Sequence, residues 1–324
     1  MKYYRGISSS NPLIQNIKDT YITEDKIERW SDAEMELGRF TDNLSKGDGK
    51  IFSVFHGDMV ENLSIYLASE EKTLNYAFET DAILSCFFNM IHIDKHLKPS
   101  ERESFSHFNN EPKTLNLICY NYTESLLKCA AIVKKQMDFR SFQSVLSTEK
   151  ICIGDICYVH GMLGKPIVFG VNDESQIANP NIFDCENGEL YKNIFIKRNA
   201  NEAYKENNDS IASGIITESD IICIYGMSIG QTDKIWWERV CDWLMQSDKH
   251  ILIIFKYGMP NESALPTEYL IAVENVKNDI LKYSTFSTQD KKNAANRIFV
   301  SGENIFREIK DMKKGTLRKY EYEQ

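Results

Sequence analysis

The stretch Asp220-Ile-Ile-Cys-Ile-Tyr-Gly-Met-Ser-Ile-Gly-Gln-Thr-Asp233 constrains the fold more than any other, because an apolar run passes through a glycine-rich turn into an amphipathic helix. Ile221 to Tyr225 is unbroken and rich in β-branched side chains, the pattern of a parallel strand covered on both faces. Gly226 and Gly230 allow a sharp turn or a close backbone approach to a ligand. Thr232 or Asp233 is placed to cap the helix, in which Ile235, Trp236, Val240, Trp243 and Leu244 recur at helical spacing. Strand, turn and helix N-terminus together form a candidate anion or ribose site.

The chain of 324 residues is long enough for one large domain or two ordinary ones. Its formal net charge of -9 argues against the broad basic surface that nucleic acid requires. No apolar run approaches the ~20 residues that cross a bilayer, and the N-terminus lacks the apolar core of a signal peptide. The expectation is a cytoplasmic protein without a membrane partner. Its eight cysteines are scattered, several of them (Cys119, Cys152, Cys157, Cys223) in expected strands, with no Cys-x-x-Cys pair. They read as reduced, small core residues and not as disulfide or zinc sites.

In chain order, residues 1–22 contain no strand and no Gly-rich turn. Residues 24–44 have a helical pattern, with Ile27, Trp30, Glu34, Leu37 and Phe40 along one side and a break at residues 45–49. Residues 59–97 read as one or two further helices. Strands are expected at 115–120 and 151–159, with a third strand or hairpin partner at 166–169. A long surface loop follows at 172–193, then a helix over 193–211 that carries Lys197 and Arg198 near its start. After the strand at 221–225 and its helix come a strand at 251–255, a helix at 267–283, a strand at 297–300 and a helix at 303–312. This alternation predicts an α/β fold, a mostly parallel Rossmann-like sheet with helices on both faces. The boundaries are a helical layer or insertion over 1–112, the sheet domain over 113–312 and a frayed tail over 313–324.

Ligands of open parallel sheets bind beyond the carboxyl ends of the strands. The residues there are Asn121-Tyr122-Thr123, His160-Gly161 and Gly226-Met-Ser228. A lone histidine after a strand is more often a structural hydrogen-bond donor than a catalyst, and Asn121 can simply cap the next helix. Their placement on one sheet edge favours a site. His92 and His96 stand one helical turn apart but lack the carboxylate of a His-Glu-x-x-His motif, so no metal site is expected.

Taken in order, Asn121-Tyr-Thr, His160-Gly161 and Ile224-Tyr-Gly-Met-Ser-Ile-Gly-Gln-Thr-Asp233 ahead of a Trp-rich helix resemble the phage abortive-infection AbiH family. Trp30-Ser-Asp-Ala-Glu34 resembles another feature of that family. The family is itself similar to sirtuin-like nucleotide-binding domains. The resemblance implies an antiphage effector that binds NAD, as substrate or ligand, and hydrolyses its N-glycosidic bond with release of nicotinamide. On that analogy Asn121 holds the attacking water or a ribose hydroxyl, and His160 acts as general base. Tyr122, Thr123, Gly161, Gly226, Ser228 and Asp233 line the nucleotide, Asp233 through a ribose hydroxyl or as the helix cap. The implied partner is a nicotinamide dinucleotide or related nucleotide, with a homo-oligomer or a defence-system protein as further partners. The family's opening strand and Gly-rich turn are expected ahead of Lys2-Tyr-Tyr-Arg-Gly6, where this sequence has none. Thr123 stands where the sirtuin pattern has an aspartate.

Two other readings compete. A non-catalytic nucleotide-sensing or interaction module would use the same sheet without turnover. A serine hydrolase would use Ser228, since Gly226-Met-Ser-Ile-Gly230 spells the Gly-x-Ser-x-Gly elbow. It ranks last, because the only later histidine, His250, precedes its strand and so falls at the opposite edge of the sheet.

Overall fold

The computed structural model describes residues 10–17, 30–74, 76, 80–108, 113–137 and 151–305. Strand β1 (Lys113–Cys119) pairs in parallel with β2 (Ile151–Tyr158), and β3 (Ile221–Tyr225) pairs in parallel with β4 (Ile251–Phe255), which pairs in parallel with β5 (Ile298–Ser301). Among the described residues all the pairing is parallel, as the alternating pattern predicts, but it divides into a pair and a triplet.

That division corrects the reading of β3. In β4 every residue is buried, with Leu252 and Ile254 entering one apolar cluster and Ile251, Ile253 and Phe255 another. In β3 only Ile224 is buried, and Cys223 is exposed. The reason is position, since β3 stands at the edge of the triplet and β4 at its centre. Sequence alone cannot separate the two, because both are short apolar runs. Cys152 is likewise exposed, so it and Cys223 are not core residues, although all eight cysteines are free.

The helices are α1 (Pro12–Ile17), α2 (Trp30–Phe40), α3 (Gly49–Glu71), α4 (Thr80–Ile91), α5 (Ser125–Met137), α6 (Gly188–Phe195), α7 (Lys197–Ala203), α8 (Asn208–Glu218), α9 (Lys234–Gln246), α10 (Pro266–Leu281) and α11 (Thr288–Ala295). The expected helix at 24–44 is seen from Trp30, and its first residues lie outside the described range. Helix α3 begins ten residues before the expected 59, at Gly49, whose position leaves an added Cβ only 3.0 Å from the Ile182 carbonyl oxygen. Helix α11 was not expected, for it has few apolar residues to mark it. Residues 303–305 are not helical, and the rest of the expected helix at 303–312, like the tail at 313–324, lies outside the described residues.

Three segments differ from expectation near the site. Residues 166–169 form no strand; Ile167, Val168 and Phe169 are buried in a loop held by the Val168 N–H donating to the His160 carbonyl oxygen at 2.9 Å. The supposed surface loop at 172–193 contains short turns at Glu174–Gln176 and Pro180–Phe183 and the start of α6, with Ile177, Ile182 and Phe183 buried. Its polar spelling hid three anchors that pack with α1, α2 and α3. The single helix expected over 193–211 is instead parts of three, because Ile196 takes an extended conformation and bridges Val171, and Lys205 turns the chain again at φ +57. The break at Ile196 sets Lys197 at the start of α7.

Among the described residues the core has four apolar clusters. The largest gathers α8, α9, α10 and one face of β4 around Trp236, Trp237 and Trp243. Ile93, Leu97 and Phe105 cover the other face of β4 and β5. Among the described residues no helix is long and apolar enough to cross a membrane.

Candidate functional site

The end of β2 delivers His160. The Val159 N–H donates to the Cys119 carbonyl oxygen at 3.1 Å, which carries the β1–β2 pairing one residue past the strand. Gly161 then turns the chain at φ +73, where an added Cβ would lie 1.9 Å from the Pro166 carbonyl oxygen. Only glycine suits both the left-handed backbone and that contact. His160 is thereby held with 5 % of its surface exposed.

The turn after β3 delivers Asp233. Gly226 turns at φ +66 and the Trp237 indole donates to the Gly230 carbonyl oxygen at 3.0 Å, so helix α9 grips the turn that precedes it. Neither Thr232 nor Asp233 caps α9 through its side chain, contrary to the simplest reading of those residues. Asp233 Oδ1 instead lies 3.2 Å from His160 Nε2 and 3.4 Å from Lys197 Nζ. Lys197 Nζ in turn lies 2.7 Å from Glu34 Oε2 on α2 and 3.3 Å from the Thr232 carbonyl oxygen. Four ionisable side chains from four parts of the chain thus form one continuous chain, Glu34–Lys197–Asp233–His160.

Burial sets the electrostatics of this network. It pushes the Asp233 carboxyl up, but the Lys197 ammonium and the His160 hydrogen bond more than reverse that, leaving Asp233 below the usual carboxylate range. For Glu34 burial prevails, and its carboxyl stays above its ordinary value despite Lys197. Burial pushes the Lys197 ammonium down, while the Glu34 and Asp233 carboxylates together hold it above the ordinary lysine value. An ionised Asp233 only accepts, so His160 Nε2 carries the proton of their hydrogen bond. In the neutral ring Nδ1 is then a free acceptor, and that atom is buried with no hydrogen-bond partner.

His160 and Asn201 line a cleft of about 10 Å³, bounded also by Lys197, Asp209 and Trp236. That volume is about what one water needs. Asn201 is 2 % exposed; its Nδ2 donates to the Val159 carbonyl oxygen at 3.2 Å and to Asp209 Oδ1 at 3.1 Å, and its Oδ1 has no partner. Two residues that each carry a buried, unpartnered polar atom therefore line one water-sized cleft. Tyr120 and Tyr122 flank the imidazole, with ring centroids 5.5 and 6.3 Å from it.

Of the residues singled out from sequence, His160, Gly161, Tyr122 and Asp233 come together here. Asn121 and Gly226 are exposed and Thr123 and Ser228 half-buried; of the site residues singled out from sequence His160 alone borders the cleft, with Tyr122 and Asp233 contacting its imidazole. Glu34 was legible as a helix-face position and as the end of the Trp30-Ser-Asp-Ala-Glu34 resemblance but with no role attached, Lys197 only as a helix start, and Asn201 not at all. One signal was available for Lys197, a lysine directly after the apolar run Ile194-Phe-Ile196. His250, the partner a Ser228 hydrolase would need, stacks on Trp243 and contacts its carbonyl oxygen at 2.6 Å. It precedes β4 while Ser228 follows the parallel β3, so the two occupy opposite ends of the sheet. Among the described residues no three His, Cys, Asp or Glu side chains are grouped to hold a metal ion.

Comparison with curated proteins finds no match, and comparison with solved structures finds none either. The family model for bacteriophage abortive infection AbiH matches residues 1–255, most of the chain and the whole of the network from Glu34 to Asp233. The chain belongs to the AbiH family, and its place is in abortive-infection defence against phage.

Proposed function

We propose that the protein binds a nicotinamide dinucleotide or related nucleotide beside His160 and hydrolyses its N-glycosidic bond. The observation that carries this reading is the unpartnered His160 Nδ1, buried against a water-sized cleft while Nε2 is fixed by Asp233. In the reaction, water attacks the anomeric carbon of the ribose as the bond to the nicotinamide nitrogen breaks. Nicotinamide leaves with the bonding electron pair as a neutral base, and the water proton passes to His160 Nδ1. Asn201 Oδ1 supplies the second acceptor that orients the water, and Asp233 stabilises the imidazolium that forms. Positive charge develops on the ribose as the bond breaks, and the network's surplus of carboxylates over ammonium suits it. The contacts assigned by resemblance to Asn121, Tyr122, Thr123, Gly161, Gly226 and Ser228 stay within this proposal.

The test is nicotinamide release from NAD by the wild type, His160→Gln and Asn121→Ala. His160→Gln should lower the rate by about 10²–10⁴-fold, the span of general-base catalysis. Equal rates in His160→Gln and the wild type would remove the imidazole from the mechanism. A second reading has its own support, since a cleft of about 10 Å³ admits a water but not a nicotinamide ring. A sensor that binds nucleotide without turnover fits that closed form. Nucleotide binding with no nicotinamide release by the wild type would select it.

A further inference from the structure

Next to the water-sized cleft lies a cavity of about 580 Å³ between α7, α8 and α9, sharing with it Arg198, Asn201 and Asp209. Its chemistry is unlike that of the His160 network. Arg239, on α9, lays its guanidinium over the Trp236 ring at 4.5 Å, and its Nη1 is buried with no hydrogen-bond partner. Among the described residues neither Arg239 nor Arg198 makes an ion pair, although Glu202, Glu206 and Asp209 line the same cavity. The cavity thus holds a buried N–H donor lacking an acceptor and, in Asn201 Oδ1, a buried acceptor lacking a donor.

We infer that this cavity is the phosphoryl–ribose subsite of the ligand, in which Arg239 and Arg198 receive a phosphate and Asn201 and the carboxylates receive sugar hydroxyls. The inference rests on the nucleotide reading of the neighbouring cleft and deepens it by giving the ligand's phosphorylated part a location. Guanidinium groups match phosphate oxygens bidentately, and a ring stacked beneath one fixes its plane. Carboxylates accept two hydroxyls at once, so a lining of both signs suits a sugar phosphate better than a bare anion. Burial holds the Asp209 carboxyl above its ordinary value despite Arg239 and Asn201, which softens its repulsion of a phosphate. The volume suits a nucleotide-sized ligand. A ligand seated here reaches His160 through the shared wall at Asn201, so the reacting bond would meet the residue after β2 while the phosphate met α7 and α9.

The experiment is calorimetric titration of the full chain with AMP, ribose 5-phosphate and adenosine, for the wild type, Arg239→Met and Arg198→Gln. Arg239→Met keeps an unbranched side chain over Trp236, and Arg198 is exposed, so at least one variant keeps the fold. Both phosphorylated ligands should bind the wild type more tightly than adenosine. Arg239→Met should weaken AMP by about 10- to 100-fold, as expected for a lost charged hydrogen bond. Arg198→Gln should weaken it less, with adenosine unchanged in both. Unchanged AMP affinity in both variants overturns the assignment, as does no binding of either phosphorylated ligand at millimolar concentration. Because this reads binding, a failure to release nicotinamide in the hydrolysis assay leaves it standing, and the reverse also holds.

Discussion

At the scale of single residues, Lys197 is the hinge of the account. It is buried to 5 % exposure and pairs with two carboxylates drawn from places 163 and 36 residues away in sequence. Removing one member of a buried ion pair leaves the other charged and desolvated, at a cost of about 3–5 kcal/mol. Lys197→Met should therefore lower Tm by several degrees, measured by calorimetry, whereas Lys192→Met should have little effect. Lys192 pairs with Glu174 and Glu189 at the surface, where such pairs contribute about 0–1 kcal/mol. The same network sets a pH dependence. Asp233 is held low in the folded chain, so its contribution is full above the unfolded value of about 3.9 and is lost as pH falls toward the folded value. Lys197 is held high, so its contribution is full below about 10.4 and is lost as pH rises beyond it. Urea titrations across the acid window should show a shallower loss of stability in Asp233→Asn than in the wild type. Parallel loss in both would show that Asp233 is not the group responsible. None of these pairings was legible in the sequence, because an ion pair bridging 163 residues leaves no local spacing. His160 and Asp233 were legible, since each directly follows a strand and a turn that announce themselves.

At the scale of elements, the strands read well and the loops poorly. The apolar runs at 221–225 and 251–255 coincide with β3 and β4 to the residue. A short buried run is marked by composition alone, but which run is central depends on neighbours, and there the reading of β3 failed. A concrete consequence follows for packing. Ile253→Ala in β4, at 0 % exposure, should cost about 2–5 kcal/mol, as large-to-small core changes do. Cys223→Ala in β3 should stay within about 0.5 kcal/mol, as exposed positions usually do. Similar losses by chemical denaturation in both would mean that β3 is covered after all. Turns divide in the same way. Gly161 and Gly226 both have positive φ, but only Gly161 is also crowded, by the Pro166 carbonyl oxygen. Gly226→Ala should cost about 1–2 kcal/mol for the left-handed backbone alone, and Gly161→Ala distinctly more. The segment at 172–193 misled for a different reason. Its Asn, Asp and Glu content is that of a surface loop, but three apolar residues spaced along it decide where it packs.

At the scale of the whole molecule, the site is a meeting of distant layers rather than a property of the sheet alone. Glu34 comes from a helix packed against α1 and α3, Lys197 from the break after α6, and His160 and Asp233 from the ends of two strands in different sheets. Phe169, Val171, Phe195 and Ile196 join the loop beyond His160 and the start of α7 to the N-terminal helices through one apolar cluster. Damage to that cluster should therefore reach the site. Phe52→Ala, at 1 % exposure in α3, is expected to destabilise the chain by about 3–5 kcal/mol and to reduce function with it.

The role proposed for Asp233 is to fix an imidazole whose free nitrogen activates one water. Its most direct measurement is nicotinamide release from NAD by the wild type and by Asp233→Asn, each shown to be folded by its thermal transition. An amide at 233 can donate to Nε2 and so favour the wrong tautomer, and the account predicts a fall of about 10²–10⁴-fold in rate. Release at the wild-type rate by a folded Asp233→Asn protein would contradict it.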